Sequence, residues 1–196
     1  MRAPSFRAPA RWASLLLLGI ALPAACMPAP AFGAGRPGKG FMKSNGTVTV
    51  GRAAPPVTGE DLDGKTVAAD AFKGRPVLLD FGSIFCPNCQ ETLREMKRLE
   101  DAYRGTDLAL VVVVDGETPV RALKAFFGGI GAGYTVIRGP DSDLFRRYGV
   151  DTIPFQLLIG RNGKIRKIHA GFDPGMEAAM GLKELFRKRT PGGNLR

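Results

Sequence analysis

The chain has 196 residues, 44% of them hydrophobic and 23% charged, which fits one globular domain with an appendage. That balance excludes a disordered chain, a collagen-like repeat and a disulfide-dense miniprotein. The net charge of +10 and the three cysteines acquire meaning only from where they fall.

Residues 1–34 hold Arg2, Arg7 and Arg11 and no acid, with an apolar run from Trp12 to Leu22 broken by Ser14. A basic start, an apolar stretch of about 7–15 residues and small residues before a cut make a secretory signal. The run falls short of the roughly 20 apolar residues of a bilayer span. Two ends of the signal stay open. Ala29-Pro30-Ala31 sets it at residues 1–31, with the cut before Phe32. Alternatively it ends at residue 25 and Cys26 is lipidated, anchoring the N-terminus to a membrane; Pro23 stands where a lipoprotein signal usually has an aliphatic residue. Residues 32–46 read as a flexible linker, 47–190 as the folded domain and 191–196 as a tail. Without residues 1–34 the charge falls from +10 to +7.

In the domain, Thr47–Val50 is a short β-prone piece, and Asp61–Val67 a hairpin turning at Asp63-Gly64. Val77–Gly82 is an apolar run, as expected of a strand buried on both faces. Leu93, Met96, Leu99 and Tyr103 follow at helical spacing. Leu108–Val114 is a second buried strand, and Thr118-Pro119 a helix start with Thr118 as cap. Tyr134–Ile137 reads as a strand and Asp141–Tyr148 as a helix. Phe155–Ile159 and Lys164–His169 flank the turn Arg161-Asn162-Gly163, and Asp173-Pro174 opens a last helix to about Arg187. Strands alternating with helices and closing in a hairpin predict an α/β sheet covered on both faces.

Cys86-Pro87-Asn88-Cys89 lies directly after the first buried strand, at the start of an amphipathic helix. Unsatisfied N–H groups and the positive end of the helix dipole face a sulfur at that position, which favours the reactive thiolate. Pro87 suits the first helical turn, where its missing N–H costs nothing. Cys89, one turn in, is the more buried thiol and is placed to attack a mixed disulfide on Cys86. A zinc site needs about two more N or S ligands, and the domain offers only the distant His169. Asp80 interrupts the apolar strand six residues before Cys86. Burial there raises a carboxyl pKa into the range where it exchanges protons near neutrality.

These motifs, with Gly64–Val67, Lys73–Phe81, Tyr148–Pro154 and Arg161–Ile165, resemble the thioredoxin-like superfamily, in particular its TlpA/ResA-type envelope oxidoreductases. The resemblance covers roughly residues 48–188. It implies the thioredoxin fold, a central mixed β-sheet flanked by helices, here with an N-terminal β extension. It also implies a redox disulfide between Cys86 and Cys89, with Cys86 the nucleophile and Cys89 the resolving thiol. By the same resemblance Asp80 accepts the proton of Cys89. Phe85, Pro87, Ile153 and a cis Pro154 are then the substrate-binding residues. The implied partners are protein disulfide substrates, cytochrome c maturation among them, and a thiol protein of the membrane that donates electrons. The implied place is the periplasm or cell envelope, and no cofactor or metal is implied. The chain departs from the pattern at Phe85, usually Trp, and at Thr92, where the TlpA/ResA pattern often carries Glu. Glu91 is adjacent but about 100° away around a helix.

Two other chemistries share the fold. A thiol peroxidase resembles this chain at Ser83, three before Cys86, but has Pro where Leu79 stands. A copper-delivery module needs CxxxC and a nearby His; the spacing here is CxxC, and His169 reads as a satisfied strand residue. No basic motif interleaved with aromatics is present, so nucleic acid is not an expected partner.

Overall fold

A computed structural model describes residues 48–139 and 143–187. The signal segment, Cys26, the linker and the tail lie outside the described residues. Seven strands form one sheet: β1 (Gly59–Asp61), β2 (Thr66–Val67), β3 (Val77–Gly82), β4 (Ala109–Asp115), β5 (Thr135–Gly139), β6 (Phe155–Ile159) and β7 (Ile165–Ala170), in the order β2-β1-β5-β4-β3-β6-β7. Parallel pairing joins β3 to β4 and β4 to β5, while β1, β2, β6 and β7 pair antiparallel. The parallel crossovers run through α1 (Pro87–Ala102) and α2 (Val120–Gly129); α3 (Asp143–Tyr148), α4 (Met176–Met180) and α5 (Leu182–Phe186) follow. This is the thioredoxin fold, and the β1–β2 hairpin paired to β5 is its N-terminal extension.

Every residue of β3 is buried, because helices or loops cover both faces of this central strand. Alternation sends Val77, Leu79 and Phe81 to one face, where Leu144 and Tyr148 of α3 pack, with Phe145 edge-on to Phe81. It sends Leu78 to the other, among Leu93, Met96 and Leu99 of α1, Leu123 of α2 and Met176 and Met180 of α4. Each such side chain contributes about 1.5–3 kcal/mol by leaving water. By the same alternation Asp80 points to the α1 face, where every near neighbour along the strand is apolar. The sheet therefore presents one carboxyl group beneath the first turn of α1.

Three sequence expectations need correction. Residues 48–50 form no strand; chain segment and sheet edge meet instead through Gly51 N–H to Ile165 O and an Ala53–Lys164 bridge. Thr118 does not cap α2, because its backbone N–H and its hydroxyl both donate to Asp115 Oδ1, and Pro119 takes the cap position. The last helix is two, because Gly181 adopts φ +66°, a left-handed conformation that ends α4 before Leu182 begins α5.

Candidate active site

The site is built where β3 ends and α1 begins. Ser83 organises the loop: its Oγ accepts from Phe85 N–H at 3.2 Å and its carbonyl from Cys86 N–H at 3.3 Å. Gln90 ties the loop from the helix side, its Nε2 donating to Ile84 O at 2.7 Å. Cys86 is the N-cap of α1 in extended conformation, with Pro87 at the first helical position. Its half-buried Sγ accepts the backbone N–H of Cys89 at 3.3 Å, so a sulfur does here what a Ser or Asp oxygen does at other helix starts. Cys89 is buried, and both cysteines are free thiols. Burial, and then the contact with Cys86, push the Cys89 thiol up to about 12 against a smaller opposing effect of the Ser83 backbone.

Asp80 has no exposed surface, and desolvation raises its carboxyl to about 7. Gln156 opposes that rise: its Nε2 donates to Asp80 Oδ1 at 2.8 Å, from the position on β6 paired with Asp80. The second oxygen, Oδ2, is buried without a hydrogen-bond partner. Gly82 explains where it looks. A Cβ on Gly82 would lie 3.3 Å from Asp80 Oδ2, 3.4 Å from Cys89 Cβ and 3.8 Å from Cys89 Sγ. The Asp80 carboxyl and the Cys89 sulfur thus border one small gap that only a glycine leaves open.

Pro154 is buried beside them and the Ile153-Pro154 bond is cis. It lies one residue beyond the Phe81–Phe155 pair, hence against the Gly82 end of β3 from which the cysteine loop departs. Gly171 N–H donates to Pro154 O at 2.8 Å and carries the next residue, Phe172, to the same end of the sheet. Phe85 is 70% exposed and Phe172 38%, two of the three large hydrophobic side chains left open to solvent among the described residues. Pro87 is exposed and Ile153 half-buried.

Sequence reading identified Cys86, Cys89, Asp80, Phe85, Pro87, Ile153 and Pro154, and all fall at this end of the sheet. It missed Gln156, Gly82 and Phe172. Gln156 carried a usable signal, being a lone polar residue in the apolar run Phe155–Ile159. The caution over the helix acid holds: Thr92 is buried with its hydroxyl on Asn88 O, and Glu91 is exposed and paired to Arg94. His169 is not the satisfied strand residue it resembled, since its Nε2 is buried without a partner. Among the described residues no three His, Cys, Asp or Glu side chains gather as metal ligands.

The AhpC/TSA family model matches residues 50–168, well over half of the chain. The thiol-disulfide oxidoreductase ResA of Bacillus cereus is 27% identical over 154 residues, 78% of this chain and 86% of its own length. Among solved structures, a Chlorobium tepidum protein assigned as thiol:disulfide interchange protein DsbE is 29% identical with a TM-score of 0.63. It covers 70% of this chain and 96% of its own. A secreted Mycobacterium tuberculosis disulfide oxidoreductase homologous to DsbE, at 18% identity and TM-score 0.59, shares the fold over 66% of this chain and 96% of its own.

Proposed function

We propose that this chain, which belongs to the AhpC/TSA family, is a thiol–disulfide oxidoreductase of ResA type that reduces protein disulfides in the bacterial cell envelope. One observation carries the reading: a half-exposed sulfur at a helix N-cap, with a second, buried sulfur one turn on that borders a buried carboxyl. The two thiols are thereby made chemically unequal, as a nucleophile and a resolving group must be.

Cys86 as thiolate attacks a substrate disulfide. The substrate S–S bond breaks, a Cys86–substrate bond forms and the second substrate sulfur leaves, taking a proton. Cys89 is now released, because two of the influences holding its proton, the hydrogen bond and the charge of Cys86, vanish when Cys86 is in a mixed disulfide. Asp80, midway through its titration near neutrality, takes the proton directly or through one water. Cys89 then attacks Cys86 Sγ, the Cys86–Cys89 disulfide closes, and the substrate sulfur that was bonded to Cys86 leaves as a thiolate and takes up a proton, so that two electrons have passed to the substrate. Phe85, Phe172, Pro87 and the Ile153-Pro154 segment form the docking rim. A dithiol protein of the membrane restores the pair. The N-terminal signal supports export, with Cys26 as the lipid-anchoring alternative to release, and apocytochrome c is one substrate class of this reading.

The test is turnover of insulin disulfides. Cys86→Ser is expected to lose it, and Cys89→Ser to accumulate a mixed disulfide seen by non-reducing mass analysis. A Cys86→Ser protein reducing disulfides at the parent rate overturns the assignment. The potential of the pair sets the direction: about −270 mV, as in thioredoxin, marks a reductase, whereas about −120 mV marks an oxidase.

A further inference from the structure

Three polar side chains cross the sheet in one row. Asp80 on β3 is paired with Gln156 on β6, and Gln156 with His169 on β7. Paired residues project to the same face with Cβ atoms about 4.5–5.5 Å apart, so all three lie on the face that carries Leu78, Leu158 and α1. Gln156 Nε2 holds Asp80 Oδ1, while Gln156 Oε1 and His169 Nε2 are both buried without partners, neighbours in the same row. An N–H on His169 Nε2 turned toward Gln156 Oε1 would give each atom the partner that it lacks in this structure. It also settles which end of the amide faces Asp80, which in turn leaves Oδ2 for the gap shared with Cys89.

We propose that His169 is a positioning residue for the thiol pair, holding the Asp80 carboxylate through Gln156 in the orientation and charge state that serves Cys89. Gln156 passes on orientation and charge; no proton travels through its amide. The consequence for turnover rests on the oxidoreductase reading, whereas the row itself is a feature of the fold. A positive charge on His169, two strand spacings or roughly 10 Å from Asp80, favours the ionised carboxylate. The titratable groups on the elements around the row include Cys86 at the N-cap of α1, Cys89 and the buried Glu95 on α1, where Glu95 is paired to Arg98, Tyr134 before β5, Lys167 on β7, Asp173 before α4, Glu177 on α4 and Glu184 on α5. Lys167 donates to Ala179 O, Asp173 accepts from Gly175 N–H, and Glu177 is held by Tyr103 and Lys183. Gln156 is thus the polar bridge between the buried carboxyl and the sheet edge.

The experiment follows two groups in the reduced full chain by NMR. One is the 13C carboxyl of Asp80, identified by its loss in Asp80→Asn. The other is the ring of His169, unambiguous because the sequence holds one histidine. The Asp80 midpoint, about 7 in the parent, is expected to rise by roughly one pH unit in Gln156→Met and about half a unit in His169→Ala. His169→Gln, which keeps an N–H donor, should recover at least half of the His169→Ala shift. Coupling is reciprocal, so the His169 ring 13C and 15N shifts at fixed pH should also change in Asp80→Asn. That arm alters neither Gln156 nor His169 and stays readable if their variants do not fold. His169 ring shifts identical in parent and Asp80→Asn overturn the proposal. So does an Asp80 midpoint that moves in Gln156→Met but not in His169→Ala, which would end the row at Gln156. None of these titrations needs a substrate, so failure of the oxidoreductase reading, seen in insulin turnover, is a separate result.

Discussion

Replacing Asp80 by Asn should stabilise the protein while impairing it, and the size of the gain can be worked from burial. In the unfolded chain this carboxyl titrates near 3.8; in the fold, desolvation raises it to about 7. Below pH 4 both states hold the proton. Between about 4 and 7 the folded state holds it and the unfolded chain does not, so the folded state loses stability as pH rises. Above 7 both are ionised and the full deficit remains. At about 1.4 kcal/mol per pH unit, the deficit reaches about 4 kcal/mol, a large part of the total stability of a domain. Asn has nearly the same shape, accepts from Gln156 and carries no charge. Urea titrations of the reduced parent and Asp80→Asn at half-unit steps from pH 4 to 8 should show the stability difference growing by about 4 kcal/mol in favour of the variant. Cys89, pushed up to about 12, titrates outside that window. Asp63, Asp101 and Glu177, which ion pairs and hydrogen bonds hold below their usual range, cancel in the difference. Turnover at pH 7 should fall about tenfold or more as the resolving thiol loses its acceptor. A stability difference flat to within about 1 kcal/mol across the range would refute the reasoning, because the carboxyl would then be no costlier to ionise in the fold than in water.

Gly82→Ala places a methyl 3.3 Å from Asp80 Oδ2 and 3.4 Å from Cys89 Cβ; we expect a loss of about 1–3 kcal/mol in urea unfolding and a slower resolving step, read as longer-lived mixed disulfide in stopped-flow quench. Phe85→Ala and Phe172→Ala should each raise KM for a protein disulfide several-fold while leaving turnover of a small aromatic disulfide near the parent rate. Both side chains are open to solvent, so their unfolding midpoints should stay within about 0.5 kcal/mol of the parent.

The chemistry of the site was readable to the extent that it was written in local pattern. Val77–Gly82 is an unbroken buried run, and the observed β3 has those same bounds; the carboxyl inside it is conspicuous because nothing else in the run is polar. The cysteine spacing announces itself against the helix that follows, since Leu93, Met96 and Leu99 repeat at the right interval. Long-range partners carry no such mark. Asp80 and Gln156 are 76 positions apart and meet only because β6 returns antiparallel beside β3. Phe172 joins the rim through one backbone hydrogen bond from its neighbour Gly171. Thr118 failed as a cap for the opposite reason: a local partner, Asp115, competed for its hydroxyl and N–H. The break at Gly181 was legible in principle, as a glycine in the middle of a short helical pattern, but a mid-helix glycine is tolerated too often to decide the matter alone.

The position of Leu79 and Ser83 bears on the choice between disulfide and peroxide chemistry within this family. A peroxidatic thiol of the resemblance set out above has a Pro at the Leu79 place and a hydroxyl at the Ser83 place. In this fold Leu79 is fully buried among the residues of the α3 face, with Phe81 and Val111, and points away from the sulfurs. Ser83 spends its oxygen on the Phe85 N–H, which shapes the loop. What does approach the sulfurs is the Cys89 N–H on Cys86, the gap at Gly82 and the Asp80 carboxyl. The first holds the outer sulfur at the helix end; the other two stand beside the inner one, the thiol that must be deprotonated for a mixed disulfide to resolve. A base placed beside the second thiol of a one-turn pair speeds exchange between disulfides and does nothing to activate a peroxide at the first. These contacts support the proposed disulfide exchange, entered through Cys86 and resolved by Cys89, over peroxide chemistry.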